Sequence, residues 1–329
     1  MGIVVLVLVA AACTPDGGDT TTTAPATTSP STTAPDAGST TSSTVPTPTA
    51  PPVVTIGADG FSNLSLNPFD PDGTIDRFIG NAVWATVYDI DPVTWGRIPD
   101  VVTGLPSQTG AIEVNSDGTM TVRYEVRSGA RWSDGLPISG EDIAFTAETM
   151  RDLAGSNGQV ADVMATVVAT DAVEQVAFIT FEEPNLAFED ALWIVLPSHA
   201  LADVDVTSGD GTDWPSGGPF VVTEYEPSDS MSLVRNDFYG KTDADGVELP
   251  YLDELRVGKA REDGIGGSEP ETPTSGFLAR DFHVIEVPNW EEDIARVEAQ
   301  VADGAAVEAV PTPIIEHLTF QFGGERDAV

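Results

Sequence analysis

Chemistry at a protein site needs convergent groups: a nucleophile beside a base, two carboxylates in different environments, or several metal ligands at workable spacing. This sequence offers few such sets. Its three histidines, His199, His283 and His317, lie far apart, and none falls in an H-x-x-x-H or comparable metal-binding spacing. There is no G-x-S-x-G elbow, no phosphate-binding loop and no G-x-G-x-x-G turn after a strand. Asp and Glu pairs abound, but 53 acids among 329 residues produce them by chance. No catalytic residue, metal site or cofactor is therefore expected, and an extracellular hydrolase has no motif behind it.

The single cysteine, Cys13, is the other residue with chemistry attached. Residues 2–12 (GIVVLVLVAAA) form an apolar run too short for the roughly 20 residues of a membrane span, but suited to a signal-peptide core. Ala10-Ala11-Ala12-Cys13 resembles a bacterial lipobox, in which the cysteine becomes the lipidated first residue of the mature chain. Ala10 stands where Leu is usual, and no positively charged segment precedes the run. The alternative is a buried apolar N-terminus with an incidental cysteine. From Thr14 to Pro52 the chain is nearly all Thr, Ser, Pro and Ala, with nothing large and apolar to offset ordering entropy. It reads as a disordered, partly extended tether; a glycosylated stalk has the same composition.

Charge removes whole classes of partner. Lys and Arg total 14 against the 53 acids, a net −39, and no basic residue precedes Arg77. Nucleic acid is excluded, because phosphate binding needs clustered cations. Anionic headgroups are repelled in the same way, so the membrane is reached only through a lipid anchor. A heavily solvated surface is the plainer account of the acidity; an acidic pocket for cationic ligands is the other. One cysteine also excludes an intrachain disulfide framework and any multi-cysteine metal site.

Ordered sequence starts at Val53. VVTIG (53–57) reads as a buried strand, and 76–88 carries apolar residues at helical spacing. Residues 111–127 form the clearest hairpin, turning at Asn115–Gly118, with Val122, Tyr124 and Val126 on the dry face. A loop, 128–137, leads to a helix capped at Ser139 with Asp142 three residues on; Ile143, Ala147 and Met150 share one face. Strands are expected at 173–181, 218–226, 230–236, 281–287, 305–310 and 314–322. Helices are expected near 185–193 and at 289–303, with an exposed loop at 258–276. The order indicates a mixed α/β protein without strict βαβ alternation.

Several segments together resemble family 5 of the bacterial extracytoplasmic solute-binding proteins, the oligopeptide- and dipeptide-binding components of ABC transporters. The resemblance runs through LSLNPFDP (64–71), the hairpin-to-helix run at 117–148, VLPSHAL (195–201), 217–240 and LPYLDELRV (249–257), with a weaker echo at 314–322. Its strongest motif is Arg131-Trp132-Ser133-Asp134-Gly135, followed by Pro137 and Glu141-Asp142. Gly218, Pro219 and Phe220 resemble the family's glycine-proline turn, with Ser216 and Gly217 where Gly-Thr is more usual. These positions are expected to be structural: Gly135 and Pro137 shape a turn, and Trp132 packs it on the sheet.

The resemblance implies a two-lobed periplasmic-binding-protein-like fold of the class II type, closing by a hinge around a peptide or other small solute. It implies delivery to an ABC permease and ATPase complex, an extracytoplasmic location on the outer face of the cell membrane, and a monomer. The expected layout is a signal peptide at 1–13, a tether at 14–52 and a first lobe from 53–95 and 201–276. A family-specific second domain follows at 96–200, and a third domain begins at 277–329. Family chains are longer, so the second lobe is expected to be incomplete. Near the lobe crossovers, Tyr88, Trp95 and Trp214 are the candidates to line a ligand, although core packing is the plainer role for each. Arg97 could meet a ligand carboxylate, or offset neighbouring acids. The rival function is a non-transport surface lipoprotein, acting as a solute sensor or an adhesion or folding factor.

Overall fold

The structure, a computed structural model, describes residues 3–9, 53–57, 64–69, 74–91, 94–153, 159–227, 229–258, 282–287 and 305–311. Cys13, the tether, most of the 258–276 loop, the 289–303 helix, the 314–322 strand and His317 lie outside the described residues.

In chain order, β1 (Ile3–Val9) and β2 (Val53–Gly57) precede helix α1 (Thr74–Val83) and three short strands, β3 (Ala85–Thr86), β4 (Tyr88–Ile90) and β5 (Arg97–Pro99). A turn of helix, α2 (Pro106–Thr109), leads into the hairpin β6 (Ile112–Val114) and β7 (Met120–Glu125). Helices α3 (Gly140–Asp152) and α4 (Gln159–Met164) precede a second hairpin, β8 (Val167–Val173) and β9 (Val176–Phe181). The chain returns through α5 (Phe188–Ala191), β10 (Ile194–Val195) and α6 (Ser198–Leu201). It ends in β11 (Phe220–Glu226), β12 (Ser230–Arg235), β13 (Glu254–Gly258), β14 (Val284–Val287) and β15 (Ala305–Pro311).

Two sheets organise these elements. The first has seven strands in the order β11-β12-β13-β2-β14-β1-β15, with β13, β2 and β14 parallel and the other pairs antiparallel. The second is antiparallel, β6-β7-β9-β8, and α3 packs across it through Ile143, Ala147 and Met150. One continuous core joins them, from Ile56, Met231, Leu233 and Val257 to Val122, Tyr124, Ile179 and Phe181. The chain leaves the first sheet along β3 and comes back along β10; these pair antiparallel, Thr86 opposite Ile194 and Ala85 opposite Val195.

Local signals explain much of this. The β6–β7 turn closes with Gly118 at φ 92°, where a side chain would be strained. Helix α3 starts on a capping box, the Ser139 N–H donating to Asp142 Oδ2 at 2.8 Å.

Three expectations need correction. The 76–88 helix stops at Val83, because Thr86 pairs with β10 and the Val87 N–H donates to Trp193 O at 2.8 Å. Sheet pairing there outweighs helical spacing. The single strand at 173–181 is the second arm of a hairpin that begins at Val167. Its turn uses Glu174 at φ 55° rather than Gly or Asn, so no breaker marks it. Finally, the strand at 281–287, assigned above to a third domain, pairs parallel with β2 inside the first sheet, Val284 opposite Ile56.

Candidate functional site

The face where the two sheets meet is built from three loop regions. Asn67, fully buried in the first, donates from its side-chain amide to Val206 O at 2.8 Å and Gly209 O at 3.3 Å, and accepts from the Phe69 N–H at 3.0 Å. Gly211 faces it at φ 71°; a Cβ there would lie 2.9 Å from the Asn67 nitrogen, so the backbones meet where only glycine fits. Beside this contact the Trp84 indole donates to Leu66 O at 2.8 Å and meets Trp193 edge-on, ring centres 5.4 Å apart.

The second loop is the motif at 131–137. Trp132 is buried, and its indole N–H points at Asp142 Oδ2, 3.4 Å away. Gly135 takes φ 87°, Arg131 donates to Gly135 O at 2.8 Å, and a bridge joins Arg131 to Pro137. Asp134 accepts from the Leu136 N–H at 3.0 Å and lies 2.8 Å from His199 Nε2. Asp142 is the hub. Buried beneath the loop, its Oδ1 also accepts from the Ser198 N–H at 2.9 Å and hydroxyl at 2.7 Å, tying α6 to α3. A buried carboxylate that accepts from several donors fixes the groups it touches.

The return turn is the third. The Ser216 hydroxyl lies 2.7 Å from Val83 O and 2.6 Å from Phe220 O, and Ser133 and Ser216 exchange bonds of 2.7 and 2.9 Å. A Cβ on Gly217 would fall 2.5 Å from that of Ala85, and one on Gly218 would fall 2.7 Å from Ala82 O. The Asn236 amide donates to Gly218 O at 2.8 Å, and the Asn236 N–H donates to Pro219 O at 2.9 Å; Phe220 is buried. Trp132, Asp142, Gly218, Pro219 and Phe220 therefore brace the crossover, while Arg131 and Asp134 close the motif loop on itself and onto His199.

Between these loops lies a cavity of about 30 Å³, lined by Trp84, Trp132, Trp214, Leu196, Thr212 and Ser216 among others, with no charged residue. One water needs roughly 10–15 Å³ of such space, whereas small-molecule sites run to roughly 300–1,000 Å³. The cavity has room for a water molecule or two and not for a solute.

Of the three aromatic candidates, Trp214 lines this cavity and the others do not. Tyr88 is half-buried on the β4–β5 ribbon with the Arg97 guanidinium 5.1 Å above its ring; burial raises its pKa, and Arg97 works against that. Trp95 sits at the tip of the same ribbon, 43% exposed and at φ 60°. Arg97 is occupied by Asp190 and by Glu189 at 3.6 Å, so it offsets local acids.

Sequence reasoning missed two buried polar contacts and one buried hydroxyl. Asp100 accepts from Thr86 Oγ1 at 2.7 Å and pairs with Lys241, whose pKa burial lowers against the pull of Asp89. Glu189 accepts from the Ser107 N–H and hydroxyl, each at 2.9 Å. Tyr124 keeps a buried hydroxyl with no hydrogen-bond partner among the described residues, and burial raises its pKa strongly. The only available hints were Lys241 as one of two lysines and Asn67 before a proline. Among the described residues no three potential metal ligands converge, and no helix is long and apolar enough to cross a membrane.

Comparison with known proteins places this scaffold. The model for bacterial extracellular solute-binding proteins, family 5, matches residues 100–322, more than half of the chain. A probable monoacyl phosphatidylinositol tetramannoside-binding protein, LpqW, of Mycobacterium tuberculosis is 27% identical over 258 residues, covering 74% of this chain and 38% of that protein. The oligopeptide-binding protein OppA of Bacillus subtilis is 25% identical over 218 residues, 59% of this chain and 38% of that protein. The chain thus spans well under half the length of either relative. Among solved structures, the oligopeptide-binding protein AppA of Bacillus subtilis, in complex with a nonapeptide, superposes with TM-score 0.57 at 16% identity. It covers 75% of this chain and 45% of that one. The ABC transporter substrate-binding protein CtaP of Listeria monocytogenes gives TM-score 0.57 at 19% identity, over 76% of this chain and 47% of that one. The fold is the mixed α/β, two-lobed periplasmic-binding-protein fold, and the chain belongs to family 5 of the bacterial extracellular solute-binding proteins.

Proposed function

We propose that this protein captures a small solute, in the first instance a peptide, outside the cytoplasm and hands it to the permease of an ABC importer without altering it covalently. The observation that carries the reading is the family match over residues 100–322, on a crossover whose motif residues are committed to holding loops in place. The cavity between the loops is too small for a solute, so on this reading the described residues supply one wall of the ligand site. Trp214, which lines that cavity, is the residue we assign to ligand contact; Tyr88 and Trp95 are assigned to the rim. We further assign Cys13 as the lipid attachment point and residues 14–52 as the tether from a membrane surface.

Calorimetry of the full chain against pools of short peptides tests capture, with saturable heat expected. Heat from no pool would overturn the peptide assignment. The similarity to a relative named for binding a mannosylated lipid favours a second reading, a glycolipid ligand, and a mannoside arm in the same titration separates the two. Palmitate labelling in a bacterial host tests the anchor: Cys13→Ala should abolish it, and undiminished labelling would refute the assignment. Permease and ATPase genes beside this one are expected; their absence would favour a sensor or adhesion role.

A further inference from the structure

With 53 acids against 14 basic residues, this chain has carboxylates to spare for every cation. Of the eight arginines among the described residues, Arg97, Arg123, Arg151, Arg235 and Arg256 each pair with one. Arg77, Arg127 and Arg131 make no ion pair among the described residues, and the last two line one cavity. That cavity, about 510 Å³, lies where β7 runs into the 131–137 loop. Small-molecule sites run to roughly 300–1,000 Å³. It shares no lining residue with the small cavity beside Trp214. Main-chain bonds fix its walls: the Thr103 N–H to Glu125 O, the Val126 N–H to Gln175 O and the Arg127 N–H to Val101 O, each at 2.8 Å. Arg127 is half-buried, and its guanidinium donates to Asp100 O at 3.2 Å and Tyr239 O at 3.1 Å, both uncharged main-chain oxygens. Burial lowers its pKa, and Tyr239 rather than any carboxylate works against that. Arg131, exposed, donates to Gly135 O at 2.8 Å. Each guanidinium carries five N–H donors, so both keep some free.

We propose that this cavity binds a small organic anion, whose carboxylate or phosphate oxygens accept from the free N–H groups of Arg127 and Arg131. A planar guanidinium presents paired donors that match such oxygens, and the attraction is stronger where water is partly excluded. The room exceeds what an inorganic ion fills. The Thr103, Ser128 and Gln175 side chains in the lining make no hydrogen bond among the described residues, so they are available to hydroxyl or amide groups on the rest of the ligand. Glu125 works against an anion; it lines the cavity too, and its carboxylate is held by Arg123 at 2.7 Å. The cavity lies apart from the wall assigned to solute capture, and the inference does not depend on that reading.

Calorimetry of the full chain against citrate and against glycerol 3-phosphate, at low ionic strength, is the test. Saturable heat is expected from at least one, and the tighter of the two identifies the head group. Arg127→Gln with Arg131→Gln should weaken that binding at least about tenfold, the worth of one charge-assisted hydrogen bond. Arg77→Gln removes an exposed, equally unpaired charge from α1 and should leave the affinity unchanged. Glu125→Gln should tighten binding about threefold by removing a repelling carboxylate, which a purely structural role for the arginines would not produce. Heat from neither anion would overturn the proposal, as would equal losses in Arg77→Gln and the double variant. If Arg127→Gln unfolds the chain, Arg131→Gln and Glu125→Gln decide by themselves, since both side chains reach solvent. Their effects on affinity should be opposite in sign, and shifts of the same sign would refute the site.

Discussion

Replacing Asp142 is the sharpest available challenge to the bracing role assigned to the family motif. The carboxylate is 2% exposed and receives the Ser139 N–H at 2.8 Å, the Ser198 N–H at 2.9 Å and the Ser198 hydroxyl at 2.7 Å, with the Ser139 hydroxyl and the Trp132 indole at longer range. Asp142→Ala leaves two main-chain donors and an indole N–H buried without an acceptor. Each orphaned donor costs about 1–3 kcal/mol, so the substitution should destabilise by about 3–5 kcal/mol even with partial relaxation toward water. Asp142→Asn keeps one accepting oxygen but turns an N–H toward either Ser139 or Ser198, and should cost about 2–3 kcal/mol. Urea unfolding followed by far-ultraviolet circular dichroism measures both. The decisive measurement is a double-mutant cycle with Ser198→Ala, which should cost about 1 kcal/mol in the native background and close to nothing after Asp142→Ala. Additive effects, or an Asp142→Ala loss below about 0.5 kcal/mol, would show that α6 is not held through this carboxylate.

Two further substitutions probe the core and the return turn. Tyr124→Phe removes a buried hydroxyl that no partner among the described residues satisfies, and should leave stability unchanged or raise it by about 1 kcal/mol at neutral pH. Burial raises the folded-state pKa of Tyr124 above 10, so its contribution is complete below pH 10 and falls away as pH climbs toward the folded value; Tyr124→Phe should flatten that alkaline decline, and an unchanged slope above pH 10 would contradict it. Gly218→Ala, whose new methyl would meet the backbone at Ala82 and Val83, should cost at least about 2 kcal/mol. Gly110→Ala, at φ 72° in open space, should cost only about 1 kcal/mol, and equal thermal shifts for the two would undo the packing argument.

Local chemistry was legible in the sequence wherever a short stretch settles its own conformation. Asn115–Gly118 announces its turn because Gly118 takes a positive φ at little cost, and Ser139 with Asp142 announces a helix start because both satisfy main-chain donors within one turn. The Arg131–Gly135 motif identified the family for the same reason: its bonds, Arg131 to Gly135 O and the Asp134 side chain to the Leu136 N–H, close within the loop. The acid excess argues against nucleic acid without any fold, since long-range charge depends little on it.

What only the tertiary structure decided are the positions whose partners are distant in sequence. Thr86 and Val87 continue a helical pattern, yet leave the helix because β10 and Trp193, more than a hundred residues on, offer sheet bonds. Asn67 and Gly211 meet across a gap that no spacing rule covers, and Lys241 finds its one strong partner in Asp100. Burial also assigned the aromatic candidates, placing Trp214 at the cavity and leaving Trp95 on the surface although their sequence contexts look alike. The apolar run at the start of the chain shows the division most clearly. Its composition suits a leader or a strand equally, because both ask for a short apolar run, and only the tertiary structure sets it between β14 and β15, antiparallel to both.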